Sequence, residues 1–196
     1  MSTLDQGFWT ERYRQQETGW DIGYVSTPIK EYLDQIKDKS IKVLIPGGGN
    51  AYEAEYAWQL GFQNVWVVDI SEEPLKNLAD RCPDFPKEQL IHQDFFEHNG
   101  KYDLIIEQTF FCALNPELRE QYAIKMKDLL KPQGKLVGLL FNVPLNQDKP
   151  PFGGHKSDYM ALFKQYFKLH RMEEAYNSIP SRQGKELFID LRPLKG

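Results

Sequence analysis

The sequence predicts an α/β fold, a mainly parallel sheet with helices on both faces, on three observations. Short apolar strands alternate with helical patterns along the chain, the order that builds parallel sheets. The first strand, Ile41-Lys42-Val43-Leu44-Ile45, runs into Pro46-Gly47-Gly48-Gly49. The second ends in Asp69, 22 residues after Gly47. Sheets of this kind hold ligands beyond the carboxyl ends of their strands, where the glycines and the acid are both placed.

In chain order, an aromatic-rich segment from Phe8 to Tyr24 comes first. Pro28 follows Ser26 and Thr27, two candidate caps, and occupies a first helical turn; Ile29, Leu33 and Ile36 continue at helical spacing. After the glycine run, Ala51 to Leu60 reads as a helix and Val65 to Ile70 as a strand. Ser71 is placed to cap the next helix, through Leu75, Leu78 and Ala79. Leu90 to His92 is a short third strand leading into Asp94-Phe95-Phe96, and Tyr102 to Glu107 is a fourth. Asn115-Pro116 opens a helix running to Leu129-Leu130, which Lys131-Pro132-Gln133-Gly134 stops before a fifth strand, Lys135 to Phe141. A helix and strand are expected around Tyr159 to Phe167 and beyond. Lys185 to Leu191 then alternates like a strand, so a late hairpin closes the sheet.

Bulk properties exclude several classes. The 196 residues suit one domain, 1–196, with no linker or repeat to mark a second. A net charge of −4 gives no general attraction to nucleic acid or anionic membrane, and basic runs such as Lys37-Asp38-Lys39 are interrupted by acid. No apolar run approaches the roughly 20 residues of a membrane helix, and Met1 to Gln6 lacks the apolar core of a secretion signal. Cys82 and Cys112 form no CxxC pair, and His92, His98, His155 and His170 show no metal-ligand spacing. A cytoplasmic, metal-free, monomeric protein acting on a small molecule is expected, with neither nucleic acid nor membrane as partner.

Glycines at the first strand-to-helix turn let a ligand approach the backbone, since no Cβ intervenes. A carboxylate at Asp69 can accept from both hydroxyls of a ribose. A dinucleotide fingerprint requires glycine at the sixth position from Gly47, where Tyr52 stands, so the pattern disfavours NAD. A phosphate-free adenosyl ligand carrying an amino acid tolerates Tyr52 better. After the third strand, Asp94 can accept from an adenine amino group while Phe95 lies against the ring; Phe95 and Phe96 as plain core is the competing reading.

At this point the residues resemble a known family, the thiopurine S-methyltransferases, and more closely its plant and bacterial members that methylate thiols and halides. The matching stretches are Phe8-Trp9, Arg12-Tyr13, Thr18-Gly19-Trp20-Asp21-Ile22-Gly23 and Ile45-Pro46-Gly47-Gly48-Gly49. They continue with Val68-Asp69-Ile70-Ser71, Asp94-Phe95-Phe96, Phe110-Phe111-Cys112-Ala113, Leu130-Lys131-Pro132 and Pro150-Pro151-Phe152. The resemblance implies a class I S-adenosylmethionine-dependent methyltransferase fold, Rossmann-like, with a seven-stranded, mostly parallel sheet and one antiparallel edge hairpin strand. It implies S-adenosylmethionine as cofactor and S-adenosylhomocysteine as product. Trp9, Tyr13 and Trp20 would form a lid, within residues 1–27, over the methionine and sulfonium end. Gly47 would meet the amino-acid part, Asp69 the ribose, Asp94 and Phe95 the adenine, and Gln108 another part of the cofactor. Departures are Tyr13 for a tryptophan of plant relatives, Gly48 where they usually carry cysteine, and Ala51 where some methyltransferases have a third glycine. Gln108 is arginine in the thiopurine enzymes and often tyrosine in the plant ones, which leaves the acceptor open.

A sulfonium is a cation, and aromatic faces attract cations by ~0.5–2 kcal/mol, a physical reason for such a lid. The competing reading is an amphipathic helix that packs Trp9 and Tyr13 on the core. No Ser/His/Asp arrangement or carboxylate pair demands acid–base chemistry, and no catalytic residue is assigned. The expected acceptor walls are apolar: Phe110 or Phe111, Phe141, and Pro151-Phe152. Cys112, between Phe111 and Ala113, reads as a small buried residue rather than a nucleophile. Asp21 either positions the lid or ends its turn. The expected function is methylation of sulfide or small thiols, ahead of halides and thiopurines. The alternatives are an S-adenosylmethionine-binding sensor without turnover and an NAD-dependent reductase, the latter opposed by Tyr52.

Overall fold

Side chains of the central strands point alternately to two faces, and each face is covered by its own helices. The computed structural model describes residues 4–195. Residues 1–3 and 196, which belong to the expected domain and, at the start, to the expected lid and the polar Met1–Gln6 segment, lie outside the described residues. Helix α1 spans Gln6–Arg14 and α2 Thr27–Asp34; then come β1 Val43–Pro46, α3 Tyr52–Gln59, β2 Val65–Asp69, α4 Glu72–Arg81 and β3 Leu90–His92. The second half holds β4 Tyr102–Gln108, α5 Arg119–Leu129, β5 Leu130–Phe141, α6 Lys156–Phe163, β6 Phe167–Glu174 and β7 Glu186–Pro193.

The seven strands form one sheet in the order β3-β2-β1-β4-β5-β7-β6. Pairings from β3 to β5 are parallel, and β7 runs antiparallel to both β5 and β6. The expected antiparallel strand is therefore present, and the hairpin lies at the sheet edge with β6 outermost. Because β6 runs the same way as β5, the loop joining it to β7 returns to the carboxyl ends of the parallel strands.

Along β1, Val43 and Ile45 join one core while Leu44 joins the other, the period of two that a doubly covered sheet requires. Ile29, Leu33, Ala54, Ala57, Leu75 and Leu78 cover the first face from α2, α3 and α4. Tyr122, Met126 and Phe163 cover the second from α5 and α6.

Three local expectations are refined. The Asn115-Pro116 start is a 3-10 turn, Pro116–Leu118, before α5; Asn115 caps it by accepting from the Glu117 amide at 3.0 Å. Asp94-Phe95-Phe96 is not extended: Asp94 caps a 3-10 turn over Phe95–Glu97. Ser71 makes no side-chain cap of α4. Its hydroxyl lies 3.0 Å from that of Thr10 on α1, because that helix packs alongside α4 and takes the hydroxyl for itself.

Candidate active site

The sheet order reverses between β1 and β4, and the crevice past their carboxyl ends opens into a cavity of about 750 Å3. Gly47 starts its floor at φ +56°, a left-handed conformation that costs glycine little. A Cβ there would lie 2.0 Å from the Phe110 ring, so only glycine lets the β1 turn and the β4 turn close on one another. A Cβ on Gly49 would come within 2.8 Å of the Tyr13 hydroxyl. Both glycines line the cavity, with Phe110 and Tyr13 packed close against them.

Asp69 ends β2 beneath this turn, 7% exposed. Its Oδ2 accepts from the Gly49 amide at 2.9 Å and its Oδ1 from the Ser71 amide at 2.8 Å. Each oxygen keeps lone-pair capacity, which suits two further hydroxyl donors. Burial pushes its carboxyl up to about 6, against the pull of those amides. Asp94 and Phe95 line the next stretch of wall; one Asp94 oxygen is engaged by the Phe96 amide at 2.8 Å. Phe95 is both lining and core, 4% exposed and edge-on to Phe110 at 5.1 Å. The two readings of Phe95 are thus compatible.

The N-terminal segment roofs the cavity. Trp9 and Tyr13, one turn apart on α1, meet Trp20 edge-on at centroid distances of 5.5 and 5.8 Å. No residue of α1 is fully buried, so the helix does not pack into the core as the competing reading held. It is tied down by polar contacts: Arg14 with Glu73 at 2.9 Å and Gln6 with His92 at 3.1 Å, besides Thr10 with Ser71. Asp21 does more than end a turn. One carboxylate oxygen accepts from the Gly23 amide at 2.7 Å, and the other is hydrogen-bonded by the Asn50 side chain from the glycine loop.

Gln108 lines the far wall, its Oε1 accepting from the Ser26 hydroxyl at 3.2 Å. Beyond it, Phe141 and Pro151 line the cavity, whereas two of the expected acceptor walls do not. Phe111 turns into the second core against Tyr122, Tyr159 and Phe163, and Phe152 is 4% exposed with its amide bound to the Cys112 carbonyl. Burial wins because both rings sit one residue past a wall-forming neighbour, Phe110 and Pro151, and point the other way. The acceptor end gains Val143 and Leu145 instead.

Cys112 is buried and its thiol is pushed up to about 12, chiefly by burial. Sγ donates to the Thr109 carbonyl at 3.3 Å, so it stays a protonated packing group.

Sequence reasoning missed Arg182 and Lys185, which reach the acceptor end from the β6–β7 loop. Arg182 is 9% exposed and donates through Nη2 to the Trp20 carbonyl at 2.8 Å. Its Nη1 has no hydrogen-bond partner and only a 3.5 Å ion pair with Glu186. No periodicity singles out an arginine in a polar loop; only the topology brings it here. Among the described residues, no group of His, Cys, Asp and Glu is disposed to hold a metal.

The profile of the family described as Thiopurine S-methyltransferase (TPMT) matches residues 4–190. The chain belongs to the thiopurine S-methyltransferase family. Thiocyanate methyltransferase 1 of Brassica oleracea is 31% identical over 190 residues, spanning 94% of this chain and 84% of the relative. The thiopurine S-methyltransferase of Vibrio campbellii is 35% identical over 180 residues, 83% of each chain. Among solved structures, the 1,6-didemethyltoxoflavin-N1-methyltransferase of Burkholderia thailandensis, crystallised with S-adenosylhomocysteine, superposes with a TM-score of 0.79 at 15% identity. That match covers 97% of this chain and 87% of the other. This family member therefore has the class I methyltransferase fold, and it is an S-adenosylmethionine-dependent methyltransferase of small nucleophiles.

Proposed function

We propose that the acceptor is a small anionic sulfur nucleophile, bisulfide or a small thiolate, ahead of halides and thiopurines. The observation that carries this reading is the buried Arg182 guanidinium at the acceptor end, with an Nη1 that no hydrogen bond occupies and Lys185 beside it. Arg182, which shares its charge with Glu186 at 3.5 Å, and Lys185 beside Phe141, Val143 and Pro151 would attract an anion and strip it of water. A neighbouring guanidinium also favours the thiolate of a free thiol, whose unperturbed pKa is about 8.5, so no dedicated base is needed.

When bound, S-adenosylmethionine supplies an activated methyl group on a cationic sulfur. The residues present fit it. In this reading Asp69 holds the ribose through its spare lone pairs, Asp94 and Phe95 the adenine, and Gly47 the amino-acid portion. Gln108 borders the methyl group. Trp9, Tyr13 and Trp20 present rings to the sulfonium and exclude water, with residues 4–27 as the described part of the lid. Alignment of the acceptor with the methyl group supplies much of the rate.

Free cysteines at 82 and 112 support a reducing compartment such as the cytoplasm; no helix among the described residues is long and apolar enough to cross a membrane.

The test is S-adenosylhomocysteine release from S-adenosylmethionine with bisulfide, alkyl thiols, iodide, chloride, thiocyanate and thiopurines. Release should be fastest with sulfur anions. No release with any of them, in a protein that binds S-adenosylhomocysteine tightly, would overturn the reading in favour of a sensor without turnover.

A further inference from the structure

Behind the cavity wall lies a buried acid that the transfer itself does not touch. The alternation that sends Ile105 of β4 toward α5 sends Glu107 there too, and it is 0% exposed. Its Oε1 accepts from the Phe110 amide at 2.8 Å and the Phe111 amide at 2.9 Å; its Oε2 accepts from the Tyr122 hydroxyl at 2.5 Å. Of the two residues between Glu107 and Phe110, Thr109 sits at φ +57°, a left-handed conformation that a β-branched side chain rarely adopts. Such a backbone persists only where its surroundings impose it. Here the imposing group is the carboxylate, which turns two consecutive amides inward. Opposite Glu107 on β5 is Gly138, where a Cβ would lie 2.1 Å from the Glu107 carbonyl, so the strands close tightly and leave the side chain no other place.

We propose that Glu107 is a positioning residue for methyl transfer: its carboxylate, braced by Tyr122, holds the 108–113 turn so that Gln108 and the Phe110 ring stand between the cofactor and acceptor parts of the cavity. Gln108, Thr109, Phe110, Cys112 and Ala113 line the cavity while Glu107 does not, so it acts only through the turn. The anion accepts all three bonds; the neutral acid must use one oxygen as a donor, and its grip on the amides weakens.

The groups facing it are few. From α5 it meets Tyr122 and from the turn Cys112, both driven up by burial and both neutral. From β5 it meets Gly138, which has no side chain. With neutral donors alone against desolvation, its carboxyl is pushed up to about 7. The turn therefore changes its hold near neutral pH, firm above and loose below.

The inference rests on the methyl-transfer reading, so one measurement is made without turnover. Amide shifts of Phe110 and Phe111 are followed by NMR from about pH 5.5 to about 8.5, a window centred on the value of about 7. In the native protein the two amides should titrate together, and in Glu107→Gln, which keeps the shape, that titration should vanish. Tyr122→Phe removes a donor to the anion and should move the midpoint upward. Turnover is then measured with thiocyanate, an acceptor ionised throughout. Turnover should fall toward acid in the native protein, and in Glu107→Gln kcat should drop about tenfold without the inflection, the loss of one charge-assisted bond. The Kd for S-adenosylhomocysteine should change far less than kcat. Amides that do not titrate, or titrate equally in Glu107→Gln, would overturn the proposal even in a protein that turns over no acceptor. An unchanged kcat profile in Glu107→Gln would overturn the catalytic half.

Discussion

The Gly49 amide donates to the Asp69 carboxylate at 2.9 Å, which makes the glycine turn after β1 and the acid ending β2 one hydrogen-bonded unit. Whatever disturbs the carboxylate therefore disturbs the turn.

Protonation is one such disturbance. Burial raises Asp69 from 3.8 to about 6, so between those values the folded protein keeps a proton that the unfolded chain has lost. Its contribution to stability thus declines as pH rises through that interval. Ribose hydroxyls donate to the anion, so S-adenosylhomocysteine affinity should increase over the same interval. Calorimetry at about pH 5 and about pH 7.5 checks the sign, on either side of that value. Asp69→Ala should weaken binding by about 1.5–3 kcal/mol through lost charge-assisted bonds; equal affinity in the variant would remove the ribose role.

Trp20 contributes a ring to the roof, while its carbonyl anchors Arg182 and survives any side-chain change. Trp20→Ala should therefore weaken S-adenosylmethionine binding by ~0.5–2 kcal/mol with little change in Tm. A large fall in Tm with normal binding would return this ring to the core.

At the acceptor end, Arg182→Lys keeps the charge but loses the planar fork. The KM for thiocyanate should rise about tenfold, the equivalent of one hydrogen bond to a charged group, with cofactor affinity nearly unchanged. An unaltered KM would exclude the guanidinium from acceptor binding.

Cys112→Ala removes a thiol that is protonated at every working pH. Most activity should remain, at the modest stability cost of a small buried group, about 1 kcal/mol. Inactivity in a variant with normal circular dichroism would reopen covalent catalysis.

Much of this was legible beforehand, and the reason is local. Strand-to-loop transitions announce themselves where apolar runs end in glycine or in an acid, which is how Gly47 and Asp69 are found. Aromatic residues one turn apart gave Trp9 and Tyr13; the amphipathic pattern alone pointed to core, the family resemblance to a lid, and the structure sets them over the cavity. Phe111 and Phe152 were unreadable for a related reason: adjacent residues in a turn face opposite ways, and composition does not say which faces inward. Arg182 depends on the β6–β7 loop returning to β1, a contact across most of the chain. Glu107 left a faint trace as an acid closing a buried strand, the same signature as Asp69.

The reversed direction of β7 has a consequence for how this scaffold can be reshaped. Gly47, Asp69 and Asp94 all come from the first half of the chain, whereas Arg182 and Lys185 ride on the tip of the final hairpin, which reaches the same rim from the opposite flank. Grafting that tip from one homologue to another is expected to re-aim preference among nucleophiles, and because Arg182 holds the Trp20 carbonyl the graft must keep that bond to spare the lid.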